Sequence, residues 1–244
     1  MTLSGSIFAA LLTPFDDNGD VSTDRIPALV DYILSKGVHG LYAGGSTGEA
    51  MLQSLEERTT HLAALAEYAR DKCTLIAHVG AASTREAIEL SKTARDTGYA
   101  AVSAVPPYYY KHDFDAIRRY YLDIADASEL PVIIYNIPVL SGTELSTEKL
   151  LNILEDDRIT GAKFTAQNLF QFQQLRHRAP SKKFYFGTDE MFLGAAAMGS
   201  DGGIGSTYNL IGDVYVGIEA AINSGDVETA RELQNKANAL IAIL

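Results

Sequence analysis

The chain of 244 residues contains a single cysteine, Cys73. That excludes an internal disulfide and any cysteine-based zinc site. Positive charge is also scarce, with 20 Lys and Arg against 31 Asp and Glu, a net charge of −11. Nucleic acids and anionic membranes recruit a surplus of Lys and Arg, so neither partner is expected. An anionic small substrate is compatible with this balance, because a pocket can be locally positive. The five histidines form no H-x-x-x-H pair, and no metal site is expected. No apolar run approaches the ~18 residues of a membrane span. The stretch Ile7–Leu12 is short and no Lys or Arg precedes it. A secretory signal is therefore not expected, and the chain reads as cytoplasmic. Linkers, low-complexity segments and shifts of composition are absent too, which points to one main unit.

What the chain does have is an alternation of short apolar runs with longer amphipathic ones. The apolar runs are Ile7–Leu12, Val38–Ala43, Thr74–Val79, Ala100–Val105, Pro131–Tyr135, Ile159–Phe164, Phe184–Phe186 and Gly202–Gly205. They are continuous rather than alternating, as parallel strands covered on both faces should be. Between them the spacing predicts helices over Thr23–Ser35, Leu55–Arg70, Thr84–Thr97, Asp115–Ala127, Thr147–Glu155, Leu169–Arg178, Glu190–Met198 and Ile211–Asn223. Ser22, Ser54 and Ser83 sit where N-caps belong, and Glu57 and Glu86 stand three residues beyond the last two of them. Gly37, Gly98 and Gly199 occupy helix C-termini. Eight strand-then-helix units fit a (β/α)8 barrel of the TIM type, for which ~250 residues is an ordinary length. A doubly wound open sheet is the rival architecture. We assign residues 1–225 to the barrel. Residues 226–244 begin a further helix, with Leu233, Ala237, Leu240, Ile241 and Leu244 at helical spacing. The pattern stops without a cap, so this segment reads as the cut-short start of a C-terminal helical extension.

In such a barrel the chemistry sits at the C-terminal ends of the strands. Lys163 lies there, inside an otherwise apolar strand. A lysine attacks a carbonyl only as the neutral amine, which apolar surroundings favour. Taken alone, Lys163 reads equally as a Schiff-base nucleophile or as a strand-end lysine reaching solvent. Tyr135 ends the neighbouring strand, either as packing or as a phenol that shuttles protons for an imine. Gly44–Glu49 is a glycine-rich turn whose N–H groups and Ser46 and Thr47 hydroxyls can hold a carboxylate. It also matches G-x-S-x-G, but a hydrolase needs a later acid and then a histidine. The last histidine, His177, sits among Gln173, Gln174, Arg176 and Arg178, so a serine hydrolase is not expected. His78 reads as a satisfied core histidine and Cys73 as a small buried hydrophobe. Tyr108–Tyr110 suit core or a subunit contact. Asp189 and Glu190 either cap the following helix or accept hydrogen bonds from substrate hydroxyls. A catalytically silent carboxylate-binding module is the reading outside enzymes.

The segments GLYAGGSTGEA (Gly40–Ala50), YNIPVLSG (Tyr135–Gly142), GAKFTAQNL (Gly161–Leu169) and DGGIGSTYN (Asp201–Asn209) together resemble the dihydrodipicolinate synthase/N-acetylneuraminate lyase superfamily of class I aldolases. The resemblance runs from Ile7 to the last residue. It implies that Lys163 forms an imine with a keto substrate and that Tyr135 is the proton shuttle. It implies that Ser46 and Thr47 bind the substrate carboxylate and that Thr165 supports the reacting centre. Gly187, Asp189, Glu190 and Ser206 match positions that bind a polyol tail. Tyr108 matches a tyrosine reaching toward a neighbouring subunit's site. No cofactor is implied. A homo-oligomer is, a tetramer in the family, although the short C-terminus puts that assembly in question here.

Three details lean toward the lyase branch. Leu140 stands where synthases carry an arginine, Phe164-Thr165 replaces an acidic residue after the lysine, and Gly187–Glu190 suits a hydroxylated tail. The implied activity is the reversible cleavage of N-acetylneuraminate to N-acetylmannosamine and pyruvate. Another pyruvate-dependent aldolase, or a dihydrodipicolinate synthase, is the alternative.

Overall fold

The computed structural model describes residues 4–244. Eight parallel strands close into a barrel in chain order: β1 (Ile7–Ala10), β2 (Gly40–Ala43), β3 (Thr74–His78), β4 (Ala101–Ala104), β5 (Val132–Asn136), β6 (Ile159–Phe164), β7 (Lys183–Phe186) and β8 (Gly202–Gly205). Closure comes from β1 pairing with β8, Phe8 opposite Ile204. Each strand matches an apolar run of the sequence, and the open-sheet rival is ruled out.

The strands read as continuous apolar runs because both faces are buried, yet each alternates between two cores. Ile7 and Ala9, Val132 and Ile134, Ala162 and Phe164, and Phe184 and Phe186 face the helices. Phe8, Tyr42, Ile76, Ile133, Tyr135, Tyr185 and Ile204 fill the barrel interior. The period of two places Lys163, between outward Ala162 and Phe164, on the inner face.

Around the barrel run α1 (Ile26–Leu34), α2 (Leu55–Ala69), α3 (Thr84–Thr97), α4 (Phe114–Ser128), a short α5 (Pro138–Ser141), α6 (Thr147–Leu154), α7 (Leu169–Arg178), α8 (Phe192–Ala197), α9 (Tyr208–Ser224) and α10 (Val227–Ile241). The Ser54–Glu57 capping box forms in full: the Glu57 N–H donates to Ser54 Oγ at 3.2 Å and the Ser54 N–H to Glu57 Oε2 at 2.7 Å. Ser22 and Ser83 occupy their N-cap positions but make no side-chain cap bond. Gly37, Gly98 and Gly199 all have positive φ, as helix-ending glycines do.

Several boundaries differ from the sequence pattern. The first helix opens with a 3-10 turn over Thr23–Arg25. The segment expected as Glu190–Met198 divides into a 3-10 turn, Asp189–Met191, and the shorter α8. Helix α9 begins three residues before Ile211, because a kink at that residue (φ −129°, ψ 41°) interrupts the periodicity that marks a start. Helix α5 and a 3-10 turn at Ala50–Leu52 were not visible in the pattern, being too short to show a period. No helix among the described residues is long and apolar enough to cross a membrane.

Candidate active site

Strand register builds the centre of the site. Lys163 on β6 lies opposite Tyr135 on β5 and Tyr185 on β7. It is 4% exposed and enters no ion pair among the described residues. Its Nζ sits 4.1 Å from the centre of the Tyr135 ring and 4.4 Å from that of Tyr42. Two phenol rings, themselves edge-to-face at 6.0 Å, therefore hold the amine in place. Aromatic faces, and no carboxylate among the described residues, surround this amine, so an ion pair does not account for its burial.

His78 is the satisfied core histidine that the sequence suggests, and its bonds reach the site. The Val105 N–H donates to Nε2 at 3.3 Å, so Nδ1 carries the proton and donates to the Gly44 carbonyl at 2.7 Å. Burial holds its pKa well below the ordinary histidine value, and the Arg58 charge adds to the effect. The neutral ring thus ties the loop after β2 to the end of β4, and packs edge-to-face on Tyr135 at 5.8 Å.

That loop carries Ser46 and Thr47. Thr13 Oγ1 donates to the Gly48 carbonyl at 2.6 Å, and Gln53 Nε2 does so at 2.7 Å. Only glycine fits at 48, since a Cβ would lie 2.9 Å from the Leu11 carbonyl oxygen. Behind Thr13, His61 places Nδ1 at 3.2 Å from Thr13 Oγ1. His61 is buried, which lowers its pKa from 6.5 to about 4. Thr47 Oγ1 and Ser206 Oγ meet at 2.6 Å, joining the loops after β2 and β8. Ser46 opens onto a cavity of about 350 Å³, walled also by Tyr108, Val105, Ile137 and Leu140.

On the other side, Thr165 follows β6 directly and its Oγ1 is buried with no partner. Gly187 makes room for it: a Cβ there would lie 2.0 Å from Thr165 Oγ1 and 3.0 Å from Lys163 Cε. The carboxylate of Asp189 accepts at Oδ2 from the Thr207 N–H (2.9 Å) and hydroxyl (2.7 Å). Its Oδ1 is buried without a partner. Burial raises its pKa, while the Thr207 bonds and the Lys163 charge oppose the rise. Asp189 thus joins its turn to the β8 loop rather than capping α8 with its side chain, and one oxygen is left for a donor. Glu190 follows it with an exposed side chain.

The structure therefore brings Lys163, Tyr135, Thr165, Gly187 and Asp189 together, and links Thr47 to Ser206. Tyr108 lines this chain's own cavity; the tyrosines that project outward are Tyr109, at φ +78°, and Tyr110. Phe164 faces the helices, so the residue after the lysine does not enter the site. Ser46 has no histidine partner among the described residues, since His61 bonds Thr13, His78 bonds Gly44 and His177 is exposed on α7. No group of three His, Cys, Asp or Glu side chains among the described residues is placed to hold a metal ion. Sequence reasoning missed Tyr42 and Thr207 as parts of the site. Both sit within motifs that carry the family resemblance, but their contacts are not local: Tyr42 on β2 meets Lys163 on β6, four strands round the barrel, and Thr207 meets Asp189 from the β8 loop.

The N-acetylneuraminate lyase of Rhizobium meliloti (strain 1021) is 43% identical over 244 residues, covering 100% of this chain and 81% of the relative. The crystal structure of CdNal from Clostridium difficile in complex with mannosamine superposes with a TM-score of 0.96 at 36% identity, covering 99% of this chain and 83% of that one. A catalytic lysine mutant of the Ruminococcus gnavus sialic acid aldolase gives a TM-score of 0.94 at 30% identity, with coverages of 98% and 79%. Residues 3–244 match the Dihydrodipicolinate synthetase family, and the chain belongs to that family.

Proposed function

We propose that the chain is a class I aldolase that reversibly cleaves N-acetylneuraminate to N-acetylmannosamine and pyruvate. One observation carries the reading: Lys163 is buried and unpaired at the mouth of the barrel, in register with Tyr135. The similarity to lyases and to a sialic acid aldolase supports the choice of substrate.

In this reading the Lys163 amine attacks the keto carbon, and loss of water gives a protonated imine. The substrate carboxylate rests on the Ser46–Thr47 loop. Tyr135 withdraws the proton of the hydroxyl beside the bond to be cleaved. That C–C bond breaks, its electron pair passes to the imine nitrogen, and the aldehyde of N-acetylmannosamine departs. The enamine left behind takes a proton on carbon, and water releases pyruvate and the free lysine. Thr165 steadies the reacting hydroxyl. Gly187, Asp189, Glu190 and Ser206 receive the polyol, with the unpartnered Asp189 oxygen as an acceptor. Tyr108 closes the wall beside Ser46.

The synthase alternative is less well supported, because it requires a second carboxylate to be held. The resemblance puts the synthases' carboxylate-holding arginine in the region of Leu140, an apolar residue that lines the cavity here. We assign residues 1–225 to the catalytic barrel and 226–244 to a C-terminal helical segment, and place the protein in the cytoplasm as a homo-oligomer. Tyr109, 87% exposed at the barrel mouth beside exposed Tyr110, favours association. The test is incubation with pyruvate and borohydride, followed by intact mass and a sialic acid cleavage assay. An adduct of reduced pyruvate together with cleavage supports the reading; neither appearing removes it.

A further inference from the structure

The pyruvate side of the site is carried by strands and the loops on them. The hydroxyl side is not: Asp189 and Glu190 sit on a 3-10 turn, which makes few bonds of its own. What holds that turn comes from the far end of the chain. On α10, Gln234 is buried and its amide is fully engaged. Its Oε1 accepts from the Leu193 N–H at 2.9 Å. Its Nε2 donates to the Asp189 carbonyl at 3.1 Å and to Asn238 Oδ1 at 2.9 Å. Asn238, one helical turn on, donates through Nδ2 to the Glu190 carbonyl at 3.2 Å. Two amides four residues apart on one helix face thus grip two consecutive carbonyls of the turn, and the start of the helix after it.

The helix itself is seated. Asp226 caps it by accepting from the Thr229 N–H at 3.0 Å, and Ala230 and Ala237 are buried against the barrel helices. Leu233 packs so closely on Gly217 of α9 that a Cβ there would lie 2.9 Å from it. From this anchored helix, Gln234 fixes the backbone of Asp189, while Thr207 fixes its carboxylate. Between them they decide where the unpartnered Oδ1 points. Hydrogen-bond acceptance by a buried carboxylate is sensitive to sub-ångström placement.

We infer that Gln234 and Asn238 are positioning residues for the hydroxyl-binding half of the site, so that the C-terminal helix sets the enzyme's grip on the sugar and not on pyruvate. The inference rests on the aldolase reading above. It predicts a division of effects that mere loss of stability would not give. Gln234→Met keeps the size and removes three hydrogen bonds. Per lysine competent for pyruvate trapping, kcat/KM for N-acetylneuraminate cleavage should fall by roughly 10-fold or more, mainly through KM. The rate of pyruvate-dependent borohydride trapping should stay within about twofold of wild type. Asn238→Ala, which removes the bond to Glu190 from a half-buried residue and leaves Gln234 bonded to the Asp189 carbonyl, should show the same split at a few-fold. It also keeps the test open if Gln234→Met fails to fold. Trapping and cleavage falling together in both variants, or cleavage unchanged in both, would overturn the inference. The wild-type chain decides the underlying reading separately: absence of cleavage by the unmutated protein would remove that reading, whatever the variants do.

Discussion

The two halves of the site are built by different means. The half proposed to hold pyruvate depends on barrel register: Tyr135 faces Lys163 because β5 and β6 pair, and His78 links the β2 loop to β4. The half proposed to bind the sugar hydroxyls depends on side chains clamping a turn, with Thr207 on the Asp189 carboxylate and Gln234 on its carbonyl. Strand pairing within a closed barrel is shared among many hydrogen bonds and changes little when one is lost. A turn held by single side chains moves when one is removed. A common mechanism with adjustable acceptors would use such an arrangement, keeping imine chemistry rigid and leaving the hydroxyl contacts open to change.

The comparison breaks most severely at the nucleophile. Lys163→Ala should abolish both the borohydride adduct and cleavage while the barrel still folds, as circular dichroism and mass spectrometry would show. Next comes Tyr135→Phe, which keeps the ring against Lys163 and removes the hydroxyl. General acid–base groups contribute about 10²–10⁴-fold, so steady-state turnover should fall by that order. Turnover within twofold of wild type would reduce Tyr135 to a packing residue.

Acid should loosen the pyruvate half through stability. His61 is held neutral, with its pKa at about 4 against 6.5 for the free group. Between those values the unfolded chain binds a proton that the folded chain does not. This contribution is therefore complete above pH 6.5 and lost as pH falls to about 4. A shift of this size corresponds to about 3 kcal/mol, and buried His78 acts in the same direction. Denaturant unfolding between pH 7 and 4 should show the loss, and His61→Gln should flatten it. The smallest effect lies outside both halves. Ser54→Ala removes the capping box of α2 and should cost about 1 kcal/mol in unfolding free energy, with kcat unchanged.

Much of this was legible in the sequence. The bounds of β6 and β8 follow from their apolar runs alone, and Ser54 with Glu57 marks the start of α2, because these signals are local. Lys163 stood out for the same reason, as a charge inside an apolar strand. The contacts that define the site geometry are not local. Tyr42 meets Lys163 across the barrel, and Gln234 meets Asp189 from 45 residues away. No periodicity encodes such pairs. The segment Glu190–Met198 reads as one helix because its composition is helical, but bonds from Thr207 and Gln234 to Asp189 hold its start in a tighter turn, Asp189–Met191. The kink at Ile211 hid the true start of α9 in a similar way.

The central claim is that one particular amine carries the chemistry. Its most direct measurement is proteolytic mapping, by mass spectrometry, of the wild-type protein after treatment with pyruvate and borohydride. The account predicts a single modified peptide with the reduced adduct on Lys163. An adduct on any other lysine, or none at all under conditions where N-acetylneuraminate is cleaved, would contradict it.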